Sequence, residues 1–187
     1  NQRGITAFVL RYRLIRTSDD FPQEVWRNLE DQARMAALMA PLRPLLLADG
    51  QQAVQLVRQG AATWGLAPGR IGMLGFSAGG MLTANLALQS VPQGRPDFAA
   101  VIYGAIEEEI SVPPDAPPLF ILCADDDLMA STGSLRLYSA WKAAGRPVEL
   151  HVYARGGHGF GMDKHGLPSD TWIERFGDWL HSLELPE

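Results

Sequence analysis

The sequence predicts an α/β protein in which a mostly parallel sheet is covered by helices on both faces. Three observations predict it. Short apolar runs rich in β-branched and aromatic residues recur along the chain, and stretches with helical spacing separate them. Most of these runs are continuously apolar, the mark of strands buried on both faces. At 187 residues the chain has the size of one domain, and it contains no internal repeat, low-complexity tract or linker.

In chain order, residues 5–12 (ITAFVLRY) read as a buried strand, and residues 17–23 as a polar turn around Phe21-Pro22. Over residues 24–39, Trp26, Leu29, Ala33, Ala36 and Ala37 recur at three- and four-residue spacing, which predicts a helix that Pro41 and Pro44 interrupt. A second helix is expected over residues 49–64, with Ala53, Leu56, Val57 and Ala61 on its apolar face and Gly65 and Pro68-Gly69 stopping it. Residues 71–76 (IGMLGF) read as a strand and 78–89 as a small-residue helix. Strands follow at 98–103 and 119–124 (LFILCA), then a helix over 134–144 that ends at Gly145 before Pro147. Residues 148–154 (VELHVYA) are the next strand and 172–183 the last helix.

Composition narrows the function. A hydrophobic share of 47% and a charged share of 20% are those of a globular protein. A net charge of −5 argues against a binder that tracks nucleic-acid phosphates. Cys123 is the single cysteine, so neither an intrachain disulfide nor a cysteine-based zinc cluster is expected. No apolar run approaches the roughly 20 residues that cross a bilayer. The chain opens Asn1-Gln2-Arg3, without a start methionine or signal peptide, and its true beginning is expected further upstream.

Gly75-Phe76-Ser77-Ala78-Gly79 fits the pattern G-x-S-x-G, and Gly80 extends it. The pattern alone is weak, but here it sits where a strand ends and an Ala/Leu helix begins, the context of a nucleophile elbow. Glycines two before and two after the serine are expected to remove Cβ atoms that would collide as strand and helix converge. Ser77 then stands over the sheet's carboxyl edge, beside a helix N-terminus whose free N–H groups favour developing negative charge. A serine hydroxyl needs a base. His151 lies within a strand and reads as a packed polar group, while His165 and His181 read as solvated. His158 lies in Gly156-Gly157-His158-Gly159-Phe160, a close-approach loop after a strand, and is the candidate base. Asp125-Asp126-Asp127 follow the strand ending at Ala124 and offer the acid that would fix the imidazole tautomer. A metal reading of the three acids lacks a neighbouring histidine or further carboxylates. Serine, aspartate and histidine, each after its own strand and in that order, follow the α/β-hydrolase triad.

On these residues the chain resembles α/β-hydrolases of the bacterial acetylxylan-esterase and feruloyl-esterase-like group, related to dienelactone hydrolases and prolyl-oligopeptidase-type catalytic domains. The stretches that carry the resemblance are GITAFVLRYRL (4–14), DGQQAVQLVRQGAATWGLAPGRIGMLGFSAGG (49–80) and PLFILCADDDLMASTGSLRLYSAWKAAGRPVELHVYARGGHGF (118–160). The resemblance implies a carboxylic-ester hydrolase of the α/β-hydrolase fold, acting without metal or organic cofactor on small-molecule or carbohydrate esters with a small, acetyl-like acyl group. It implies Ser77 as nucleophile, His158 as base and the Ala78 N–H as an oxyanion-hole donor. The family register, in which the acid precedes a proline and aliphatic residues, selects Asp126, with Asp125 and Asp127 as alternatives. Met81 stands where relatives often carry histidine. A secreted or periplasmic setting is favoured by the same resemblance. A prolyl-oligopeptidase-type peptidase ranks lower, because the chain has no room for a gating domain; a scaffold without catalysis is the third reading.

One departure is upstream. Relatives carry a Gly-rich segment after the third strand whose backbone N–H groups form half the oxyanion hole, and this sequence has none. The third strand, which lies between the fourth and fifth in such sheets, is missing with it. The fold is therefore expected to be N-terminally incomplete: a piece of a cleaved protein, a truncated form, or a homo-oligomer that completes its sheet with another copy. A complete eight-stranded sheet within this chain would refute that expectation. With one oxyanion donor fewer, activity below that of an intact relative is expected. Glu107-Glu108-Glu109 read as a solvated acidic loop, and the five tryptophans as core or rim packing.

Overall fold

A computed structural model describes residues 4–183 apart from 19, 105, 107 and 108. Its strands are β1 (Gly72–Phe76), β2 (Phe98–Ile102), β3 (Leu119–Ala124) and β4 (Val148–Tyr153). Among the described residues the α-helices are α1 (Phe21–Glu30), α2 (Gln32–Met39), α3 (Arg43–Trp64), α4 (Ala78–Ala87), α5 (Ser131–Ala143) and α6 (Trp172–Ser182).

The four strands pair in parallel in the order β1-β2-β3-β4, so all four carboxyl ends lie along one edge. Side chains alternate across this sheet with period two. Ala99, Val101, Leu119 and Ile121 face α4 and α5 and pack with Ala84, Ala87, Leu137 and Trp141. Ala100, Ile102, Phe120, Leu122 and Ala124 face the other way and pack with Trp172, Phe176 and Trp179 of α6. Helices on both faces keep β2 and β3 almost wholly out of water, which is why these strands read as unbroken apolar runs. The fold is the expected one, a parallel sheet between helical layers.

Three expectations are corrected. Residues 5–12 form no strand: they join no sheet and are largely exposed, with Val9 at 92%. A strand exists only where a neighbour takes its backbone hydrogen bonds, and this segment lies instead against α3. Arg13 donates from its backbone N and its Nε to Asp49 Oδ2 at 3.0 and 2.8 Å, and the Phe8 and Trp64 rings are 5.0 Å apart. Residues 24–39 are two helices, because Asp31 leaves helical geometry and its side chain accepts from the Arg34 N–H to cap the second. Pro44 does not interrupt a helix; it occupies the first turn of α3, where no N–H is missed, so α3 begins earlier than predicted.

Trp141, Trp172 and Trp179 are buried, while Trp64 is half exposed. Glu109 is exposed, and Glu107 and Glu108 lie outside the described residues. No helix among the described residues is long and apolar enough to cross a membrane.

Candidate active site

The carboxyl edge gathers one residue from each strand end. After β1 the chain turns sharply into α4, with Ser77 at the N-cap position and its backbone at φ 49°, a left-handed conformation unusual for a side-chain-bearing residue. The turn is fixed from below, since the Ser77 N–H donates to Ile102 O at 3.0 Å. Gly75 is sterically required: a Cβ there would stand 2.0 Å from Gly79 O. Gly79, expected to be required for the same reason, is not, because a Cβ at that position would meet nothing nearer than Tyr12 at 3.8 Å. The second tight approach is Gly80 against Gly104, where a Cβ on Gly104 would lie 2.7 Å from Gly80 C.

His158 sits in the loop after β4, between Gly157 at φ 62° and Gly159 at φ 86°, conformations that only glycine adopts at little cost. Its Nε2 lies 2.7 Å from Ser77 Oγ and its Nδ1 2.8 Å from Asp127 Oδ2. Ionised Asp127 can only accept, so Nδ1 carries the imidazole proton and Nε2 is left to accept from the serine hydroxyl. The carboxylate is almost fully buried, with 1% of its residue surface exposed, and both oxygens are engaged. Oδ1 accepts from the Met129 and Ala130 N–H groups at 2.9 and 3.2 Å, leaving Oδ2 for the imidazole.

Asp126, the acid selected from the family register, is therefore corrected to Asp127 as the partner of His158. Asp125 and Asp126 form the exposed crest of the turn after β3, while Asp127 folds back beneath it and donates its N–H to Ala124 O. Asp126 has a different contact: its Oδ1 accepts from the Gly157 N–H at 2.7 Å, tying the acid turn to the histidine loop. The remaining histidines stay apart from this cluster. His151 pairs with Glu149 at 2.7 Å and packs on Phe120; His181 Nδ1 meets Gly177 O; His165 is exposed.

Sequence reasoning missed Tyr103, which fills the gap between the serine and histidine turns at the end of β2. It is buried, carries a positive φ of 38°, and its ring meets the His158 imidazole edge-on at 5.2 Å. Its hydroxyl accepts from the Gly161 N–H at 3.1 Å, which pins the far end of the histidine loop. Burial first, and the Asp127 charge after it, push the Tyr103 phenol above its usual range. Position was the available signal, since Tyr103 follows the fourth strand end on the edge that carries the other three residues.

Around the cluster, Phe76, Met81, Leu128, Met129 and Met162 are exposed apolar side chains near it in the chain. The Ala78 N–H is in the first turn of α4, where it has no partner within the helix. No group of His, Cys, Asp and Glu among the described residues is arranged to hold a metal.

The model of the dienelactone hydrolase family matches residues 20–174. Along all of its length the chain is 26% identical to an acetylxylan esterase from Xylanibacter ruminicola, and it spans 41% of that protein. Among solved structures, it resembles an acetyl ester-xyloside bifunctional hydrolase from Caldicellulosiruptor lactoaceticus with a TM-score of 0.66 at 27% identity, over 74% of this chain and 66% of the other. An α/β-hydrolase enzyme from a Medee basin deep-sea metagenome library is similar with a TM-score of 0.66 at 26% identity, over 73% and 64% of the two chains.

Proposed function

We propose that this chain, which belongs to the dienelactone hydrolase family, is a serine ester hydrolase acting through an acyl-enzyme on small, acetyl-like carboxylic esters. The observation that carries the reading is the unbroken relay Ser77–His158–Asp127, with contacts of 2.7 and 2.8 Å and a buried acid at its end.

Ser77 Oγ attacks the ester carbonyl carbon as its proton passes to His158 Nε2. Asp127 stabilises the imidazolium and keeps its Nδ1 proton in place. The carbonyl oxygen becomes an oxyanion beside the Ala78 N–H and the positive end of α4. Collapse expels the alcohol, which takes the Nε2 proton. Water then attacks the acyl-serine by the same route, giving the carboxylic acid and free Ser77. The acetylxylan esterase and the acetyl ester-xyloside hydrolase among the relatives support an acetyl group on a carbohydrate alcohol as the first substrates to try.

Turnover of 4-nitrophenyl acetate tests the reading. Wild-type hydrolysis that falls on the order of 10⁴–10⁶-fold in Ser77→Ala supports it. Turnover indifferent to Ser77 rejects it.

A further inference from the structure

The histidine loop has little stiffness of its own. Gly156-Gly157-His158-Gly159-Phe160-Gly161 holds four glycines in six residues, with Gly157, Gly159 and Gly161 at φ 62°, 86° and 53°. Glycine loses more conformational freedom on ordering than any other residue, so contacts from outside must hold such a loop. Three elements supply them. The Asp126 carboxylate after β3 accepts from the Gly157 N–H at 2.7 Å, and Trp172 at the start of α6 donates its Nε1–H to Gly161 O at 2.8 Å. The Tyr103 hydroxyl after β2 accepts from the Gly161 N–H at 3.1 Å. Tyr103 also meets the imidazole itself, with 5.2 Å between ring centroids.

Backbone strain aims Tyr103 at the loop. Along β2, Ala99 and Val101 face α4 and α5 while Ala100 and Ile102 face α6, so continued alternation would send residue 103 to the α4 and α5 side. Its φ of 38° breaks the alternation, and the side chain joins Ile102, Phe160 and Trp172 in the core on the α6 side. A left-handed conformation is costly for a bulky residue and persists only where the surroundings over-determine it. Here the Tyr103 N–H donates to Leu122 O at 2.6 Å, and the next residue, Gly104, lies against α4, where a Cβ would stand 2.8 Å from Gly80 Cα. Turned this way, the ring fills the space between the serine and histidine turns. It is 5.8 Å from Phe76, the residue before Ser77, and 4.9 Å from Phe160, two residues after His158.

We propose that Tyr103 is a positioning residue for the base, its ring and hydroxyl together setting the distance from His158 Nε2 to Ser77 Oγ. The role rests on the ester-hydrolase reading above. Tyr103 exchanges no proton and touches no substrate; it acts only through the imidazole, whose placement decides whether the serine proton has an acceptor in line. The ring is a wall beside the imidazole, and the hydroxyl fixes the end of the loop that carries it. Both halves of the reaction depend on it, since His158 takes a proton first from Ser77 and then from water.

The test measures 4-nitrophenyl acetate turnover by wild type, Ser77→Ala, Tyr103→Phe and Tyr103→Leu, and by both Tyr103 variants in a His158→Ala background. Tyr103→Phe, which keeps the ring, should lower kcat about tenfold, and Tyr103→Leu on the order of 10²-fold, each with KM within about threefold. The residual Ser77-dependent turnover of His158→Ala no longer uses the imidazole. There the same two changes should alter kcat by less than about twofold, because a residue that acts through another has nothing left to position. Wild-type turnover that depends on Ser77 but is unchanged in both Tyr103 variants overturns the positioning role and leaves the hydrolase reading intact. A change in KM alone makes Tyr103 a substrate contact, and an equal loss with and without His158 makes it a support of the fold; either result overturns the proposal. Wild type without Ser77-dependent turnover overturns both readings. Should either variant fail to fold, 4-fluorophenylalanine in place of Tyr103 fills the hydroxyl's space without its accepting strength. The kcat loss expected of Tyr103→Phe must then recur, and an unchanged kcat refutes the role.

Discussion

The neighbouring acids Asp126 and Asp127 are one residue apart in sequence and differ in everything that decides their chemistry. Asp127 is buried, hydrogen-bonded through both oxygens and in contact with His158; Asp126 is exposed and accepts from the Gly157 N–H. Asp127→Asn should therefore lower kcat/KM by about 10³–10⁴-fold, through loss of the imidazole's orientation and of the charge that stabilises it. Asp126→Ala should cost far less, about tenfold or less and mainly in kcat, by releasing the histidine loop. Asp126→Asn should restore activity to near wild type, since its amide oxygen can still accept from Gly157. Steady-state kinetics on the three variants checks this, and a larger loss in Asp126→Asn than in Asp127→Asn would return the acid role to Asp126. Sequence placed the acid within a run of three, and the family register selected Asp126, whereas the carboxylate that meets His158 is that of Asp127. Strand periodicity ends at Ala124, and which aspartate folds back is decided by the turn's own hydrogen bonds.

Elements with internal periodicity were legible to within a residue or two at most ends. β3 is found over the predicted residues, and β1, β2 and β4 are shorter than predicted by one residue each. The miss at residues 5–12 has a different cause. Its composition favours a strand, but strand formation depends on a partner outside the segment, and here α3 is its neighbour. Glycines around the elbow show the same division between local pattern and packing. Gly104, unremarked in the sequence, faces backbone, with a Cβ there 2.7–2.9 Å from Gly80 and Met81 atoms, whereas a Cβ on Gly79 would make only an ordinary contact with the Tyr12 hydroxyl at 3.8 Å. Gly104→Ala should thus destabilise the fold by about 1–3 kcal/mol as α4 is pushed from β2. Gly79→Ala should be neutral or stabilise by up to about 1 kcal/mol, as expected for alanine within a helix. Urea titrations of both variants measure the difference; a destabilised Gly79→Ala beside an unaffected Gly104→Ala would reverse the steric assignment.

For the molecule as a whole, parallel pairing brings the distant turns to one place. Ser77, Asp127 and His158 are far apart in sequence, yet each follows a strand of one parallel sheet and so arrives at one edge. That convergence was readable in advance, because chain order and strand ends suffice to predict it. Tyr103 was not named in advance because no motif marks it, and its place after a strand end on the same edge was the one signal that pointed to it. Over its 41% share of the Xylanibacter ruminicola acetylxylan esterase, the chain includes the serine, acid and histidine turns of the proposed relay. Fluorophosphonate labelling followed by intact mass and peptide mapping tests that relay most directly. A single adduct on Ser77, formed by wild type and by Asp126→Asn and lost in His158→Ala, is the predicted result. Failure to label, or labelling of Ser77 that His158→Ala leaves unchanged, would contradict it.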